Sequence, residues 1–375
     1  MSDLDDNDPR DGEEEGGAEP LEIPSPRANP LLLGHAAAEE ALLQAHASGR
    51  LPHAWLLSGP RGVGKATLAF RFARFLFSEG ERGGLFAPAS ATLAMETNHP
   101  IFRRVASGGM ADLLVVERGI DPRRKRMRSE IVVEDTRAIA GFMRLTPAEG
   151  RWRVVILDGA DLMNRNAANA LLKILEEPPR HSVLLLTSDN PRRLLPTIRS
   201  RCRSLVLKPL SDAVVGDALA RFRPDLSASD RALLTTLADG SIGHALDLGG
   251  GGLTVYRNLV VLLERLPDVD GAALHAFADR LARSDGEDSF RVMGELLGNW
   301  LARMVAVGAG REEASNPSTP GEAIAMRRLA ARRGLDQWVE VWEKIARLFA
   351  QADSLNLDRK QVVLNAFFAL EEAAR

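Results

Sequence analysis

Between His53 and Gly80 the chain reads HAWLLSGPRGVGKATLAFRFARFLFSEG. A short apolar run, a glycine-rich turn ending in lysine and a helix with apolar residues at helical spacing follow one another without a break. This order fixes much of the fold. An apolar run of strand length that feeds a helix through glycines belongs to a β-α unit with its turn at the strand's C-terminal end. Backbone amides of such a turn and the helix N-terminus form an anion cradle, and the lysine can reach terminal phosphates. Gly59, Gly62, Gly64 and Lys65 are the candidate cradle residues. The standard phosphate-loop spacing puts a magnesium-binding hydroxyl directly after the lysine. Here that position is Ala66, and the first hydroxyl comes one residue late, at Thr67.

Further apolar runs alternate with helical patterns: ADLLVVER, RWRVVILDGAD, HSVLLLTSDN and RSLVLKPL. Continuous apolar strands separated by helices predict a parallel sheet covered on both faces. Asp158, at the tip of VVILD, stands where a phosphate-loop protein keeps a magnesium-binding carboxylate. The next position often carries a glutamate that polarises water; here it is Gly159. Residues 80–112 read as loop-rich. After Pro209 the strand signals vanish, and GGGG at 249–252 is the clearest linker. Everything beyond it reads as helical, so the expected class is α/β plus all-α. Trp300, Trp338 and Trp342 fall on apolar helix faces and read as core or subunit interface.

Charge and composition narrow the setting. The 375 residues carry 48 basic and 51 acidic side chains, a net of −3. Residues 1–20 hold nine acids and one base, leaving 47 bases against 42 acids elsewhere. The acidic start reads as a disordered tail over residues 1–28. It lacks the basic and apolar regions of a secretory signal. No apolar run is long enough for a membrane span, so the expected compartment is the cytosol, without membrane partners. Cys202 is the single cysteine, which excludes an internal disulfide and a multi-cysteine zinc site. The run Arg123-Arg124-Lys125-Arg126, followed by Arg128, could touch phosphates. Without aromatic interleaving it reads as a solvated loop.

VVILDGADLMNRNAANALLKILEEPP, LLPTIRSRC and, near the C-terminus, NLDRKQVVLNAF resemble the AAA+ clamp-loader family of bacterial replication. The resemblance covers about residues 29–375. It implies an AAA+ nucleotide-binding-like domain at 29–208, a helical lid at 209–252 and a helical collar at 253–375 that joins subunits into a ring. Arg201 in the Ser200-Arg201-Cys202 triplet is then a trans-acting arginine that serves a neighbour's nucleotide. The physical role is that of an arginine finger, a fixed guanidinium on developing phosphoryl charge. In motor relatives the lid carries a sensor arginine within GSxRxAL; this chain reads GSIGHAL, with Gly243 in that place. Motor and non-motor relatives alike often carry a zinc module after the first helix, and residues 80–112 have no cysteine for one.

Ala66, Gly159 and Gly243 are thus three departures at separate points of one reaction. They predict a cradle that has lost hydrolysis, formed by Gly59, Gly62, Gly64, Lys65, Thr67 and Asp158. No cofactor is required; ATP or ADP held without turnover stays open. The resemblance implies a non-motor, stator-like loader subunit. Its partners would be gamma/tau motor and delta subunits, a sliding clamp, and primer-template DNA through the complex. An active AAA+ ATPase and a nucleotide-independent scaffold are the alternatives.

Overall fold

The computed structural model describes residues 24–81, 92–120, 127–148, 152–283, 287–311, 319–355 and 357–375. The first half alternates helices and strands in the order α1 (Ala36–Ala47), β1 (Ala54–Ser58), α2 (Lys65–Glu81), α3 (Pro100–Ser107), β2 (Leu113–Val116), α4 (Val133–Arg144), β3 (Arg153–Leu157), α5 (Arg165–Glu176), β4 (Ser182–Ser188), α6 (Pro196–Arg199) and β5 (Arg203–Val206). The strands form one parallel sheet in the order β2-β3-β4-β1-β5.

The central strands are buried along their whole length, as continuous apolar runs require. Alternate residues nevertheless serve different faces. Trp55, Leu57, Val154, Ile156, Val183 and Leu185 join the core that includes α2. Leu56, Val155, Leu157, Leu184 and Leu186 join the core under α4 and α5.

The remaining elements are helices: α7 (Asp212–Phe222), α8 (Ala228–Leu237), α9 (Ile242–Gly249), α10 (Gly252–Glu264), α11 (Gly271–Ala282), α12 (Glu287–Gly308), α13 (Pro320–Arg332), α14 (Leu335–Ser354) and α15 (Arg359–Ala374). The architecture is therefore α/β followed by all-α. Trp300 and Trp338 are fully buried in the helical part, whereas Trp342 is 36% exposed. Tyr256 and Glu322, both buried, meet there through a 2.5 Å hydrogen bond donated by the phenol. Among the described residues no helix is long and apolar enough to cross a membrane.

Three expectations need correction. Residues 1–23 of the acidic tail lie outside the described residues, but 24–28 belong to the folded body. Arg74 on α2 is 1% exposed, and its guanidinium donates to the Asn29 carbonyl at 2.8 Å and the Arg27 carbonyl at 3.4 Å. A buried cation needs such acceptors, so the segment before α1 is held against α2.

The second correction concerns the loop-rich reading of residues 80–112. It misses α3, which starts at Pro100 behind a His99 cap and ends at Gly108 in a left-handed conformation. The third concerns the glycine run: Gly249 closes α9 and Gly252 opens α10, leaving only Gly250 and Gly251 between the helices.

Candidate functional site

The parallel register brings the C-terminal ends of β1, β4 and β3 side by side. Ser58 pairs with Ser188, and Leu157 pairs with Leu186. Gly59, Asp158 and Asp189 therefore leave the sheet at the same edge. Gly59 donates its amide to the Ser188 carbonyl at 3.3 Å. In parallel α/β sheets ligands bind outside this edge.

The three glycines of the loop all take positive φ. Gly59, Gly62 and Gly64 have φ of 153°, 75° and 114°. Lys65 is the first residue of α2 and is buried. Its ammonium donates to the carbonyls of Gly59 at 2.9 Å and Pro60 at 2.6 Å, and it pairs with Asp189 Oδ1 at 2.6 Å. His35, just before α1, donates from Nε2 to the Val63 carbonyl at 2.8 Å. Burial lowers the His35 pKa below the usual 6.5, against the opposing pull of that bond and of Glu39.

The other side of the loop is covered by α9. Ser241 Oγ donates to the Arg61 carbonyl at 2.6 Å, and Gly243 N donates to the Gly62 carbonyl at 2.9 Å. A Cβ on Gly243 would lie 2.7 Å from Gly62 Cα. The position of the sensor arginine is thus filled by backbone-to-backbone contact. Arg61 also faces Asp247 of α9 at 3.8 Å and Glu295 of α12 at 3.9 Å, and Glu295 lies 3.8 Å from His244.

Asp158 accepts a 2.5 Å hydrogen bond from Thr187 Oγ1, and the Gly159 amide donates to the same hydroxyl at 2.9 Å. Gly159 has φ 77°, and a Cβ there would meet Leu162 at 3.1 Å. Asp161 is also spent on structure: its carboxylate accepts from the amides of Asp189 and Asn190, each at 3.2 Å. Thr67 is buried. Two residues beyond the lysine, it is turned by ~200° around the helix.

These side chains do not fit a magnesium nucleotide. The hydroxyl position is Ala66, and the Lys65 ammonium already meets two carbonyls and the Asp189 carboxylate.

Arg201 lies elsewhere. Arg203 pairs with Trp55 near the entry of β1, whereas the loop leaves β1 three register steps later, after Ser58. Three steps span ~10 Å, so Arg201 and its own loop lie at opposite edges of the sheet. The guanidinium pairs with Glu176 of α5 at 2.9 Å and donates to the Thr197 carbonyl at 3.0 Å. Its side chain is 35% exposed. Burial pushes the neighbouring Cys202 thiol up to about 12, which makes it a packing residue.

Residues 34–211 match the family described as DNA polymerase III, delta subunit. The DNA polymerase III subunit delta' of Pseudomonas aeruginosa is 39% identical over 210 residues, covering 56% of this chain and 59% of that protein. Over residues 34–211, just under half of its length, the chain is similar to DNA polymerase III subunits. The tau subunit of Salmonella typhimurium is 33% identical over 265 residues, covering 68% of this chain and 38% of that protein. The chain thus spans less than two thirds of the length of these curated relatives. A solved gamma subunit-related protein of Thermotoga maritima aligns over 88% of this chain and 100% of its own, at 19% identity and a TM-score of 0.43.

The phosphate-loop spacing and the acidic strand tip led sequence reasoning to Gly59, Gly62, Gly64, Lys65, Thr67 and Asp158, and the family resemblance led it to Arg201. The structure brings all of these to one sheet edge or its adjoining helix except Arg201. Sequence reasoning missed His35, Thr187, Asp189 and Ser241. Ser241 carried a signal, a helix-capping serine next to the missing arginine. Arg123 to Arg126 lie outside the described residues, and Arg128 faces Asp135 at 3.7 Å.

Proposed function

We propose that this chain is a non-motor, stator-like subunit of the DNA polymerase III clamp loader. It supplies Arg201 to the nucleotide site of a neighbouring ATPase while the complex loads a sliding clamp onto primed DNA. The observation that carries this reading is the separation of Arg201 from its own loop across the sheet. An arginine at that edge cannot meet a phosphate held by Gly59 and Lys65, yet it stands partly exposed for an adjacent subunit. Its pair with the exposed Glu176 is of the kind worth ~1 kcal/mol or less, so a neighbour's phosphate can take it over.

In this reading residues 29–208 are the nucleotide-binding-like domain, 209–252 the lid and 253–375 the collar that joins the ring. The partners are gamma/tau motor and delta subunits, the clamp, and primer-template DNA through the complex. The chain needs no nucleotide of its own, and polymerase activity belongs to the holoenzyme. The test is clamp loading by motor and delta subunits with and without this chain, together with ATP turnover by the chain alone. Loading should require the chain, and the lone chain should turn over no ATP above background. Turnover by the pure chain that disappears on Lys65→Ala would overturn the non-motor reading.

A further inference from the structure

A lysine ammonium has three N–H donors, and Lys65 meets three acceptors inside its own chain: the carbonyls of Gly59 and Pro60 and the carboxylate of Asp189. The side chain is 6% exposed. A buried ammonium is stable only with a counter-charge, and Asp189 provides it. The backbone of Asp189 is held from behind, while its side chain is 51% exposed. Asp189 directly follows β4, the neighbour of β1, and its backbone amide is held by the buried Asp161 carboxylate. On the opposite side, Ser241 and Gly243 take up the carbonyls of Arg61 and Gly62.

We propose that Asp189 is a built-in counter-ion that takes the place of a phosphate on Lys65 and keeps nucleotides out of the loop. An incoming phosphate must displace a carboxylate from the ammonium and then sit beside that second negative charge. Specificity here works by repulsion rather than by a missing contact. The inference deepens the non-motor reading of the loop and rests on it, but the two can fail separately.

The test titrates fluorescently labelled ATP and ADP, with magnesium, into the full chain and into Asp189→Asn and Asp189→Ser. Asparagine keeps the size and the backbone amide and removes only the charge; serine also clears the space. Both variants should bind at least tenfold more tightly than wild type, and adding Lys65→Ala should abolish the gain. ATP turnover is read on the same samples. Binding gained without turnover supports both readings. Binding gained with turnover supports the counter-ion and overturns the reading that Ala66, Gly159 and Gly243 have removed hydrolysis. Equal affinity in wild type and both variants, or no binding by any of them at millimolar nucleotide, overturns the counter-ion.

Discussion

Gly62 and Gly243 meet backbone to backbone: the Gly243 amide donates to the Gly62 carbonyl at 2.9 Å, and a Cβ on Gly62 would lie 3.0 Å from Gly243 Cα. The same Cβ would lie 2.6 Å from Ser241 Oγ. The glycine loop is therefore a packing surface for α9. That contact leaves no room for the arginine that the motor pattern carries at 243, because a side chain there would push α9 away from Gly62.

Restoring that arginine should damage the fold without restoring chemistry. Gly243→Arg forces the loop and α9 apart, an overpacking expected to cost about 1–3 kcal/mol. The melting temperature should fall, and ATP turnover should stay at background. A variant with wild-type stability would show that the two glycines are not in contact in solution.

Gly159→Glu tests the same idea at the water-polarising position. With φ at 77° the backbone is left-handed, where a side chain costs about 1–2 kcal/mol. The glutamate should lower stability by that order in a denaturant titration and yield no hydrolysis. Stability equal to wild type would contradict the strained geometry.

Much of this was legible in the sequence, because the sheet is built from apolar runs and the loop from glycines at fixed spacing. VVILD and LLLTS each mark a strand by composition alone, even where burial on both faces erases alternation. The class and the cradle residues follow from such local signals. Asp189 does not, since its contact with Lys65 depends on β4 lying beside β1, and the two residues stand 124 positions apart. His35 is hidden because its bond to Val63 depends on how the segment before α1 packs on the loop. Residues 24–28 look like tail by composition, and only the burial of Arg74 shows why they are held. Helix α3 spans eight residues, too short for periodicity to declare, although its proline start and glycine end mark it.

Acid should loosen the loop. His35 has a folded-state pKa lowered chiefly by burial, and so has His46, where Glu79 opposes the shift. Below the usual 6.5 the unfolded chain takes up these protons before the folded chain does. Stability is then complete above pH 6.5 and is lost as the pH falls from there towards the depressed folded values. Melting curves at neutral and acidic pH should show the loss, and His35→Gln should blunt it. Glutamine can still donate to the Val63 carbonyl, so its cost at neutral pH should be about 1 kcal/mol or less. An unchanged pH profile in that variant would remove His35 from the account.

Arg201 gives the most direct test of the central claim, by steady-state ATP hydrolysis of the reconstituted loader with clamp and primed DNA. Arg201→Ala should leave the chain folded and able to join the complex on gel filtration, since a partly exposed side chain adds little stability. The stimulated rate at the neighbouring site should fall, by up to roughly 10³ or more if the arginine acts as a finger. Arg201→Lys should rescue it poorly, because an ammonium lacks the planar fork. The account predicts an assembled complex with most of its stimulated hydrolysis gone. An alanine variant that assembles and hydrolyses ATP at the wild-type rate would contradict it and leave the chain as a scaffold.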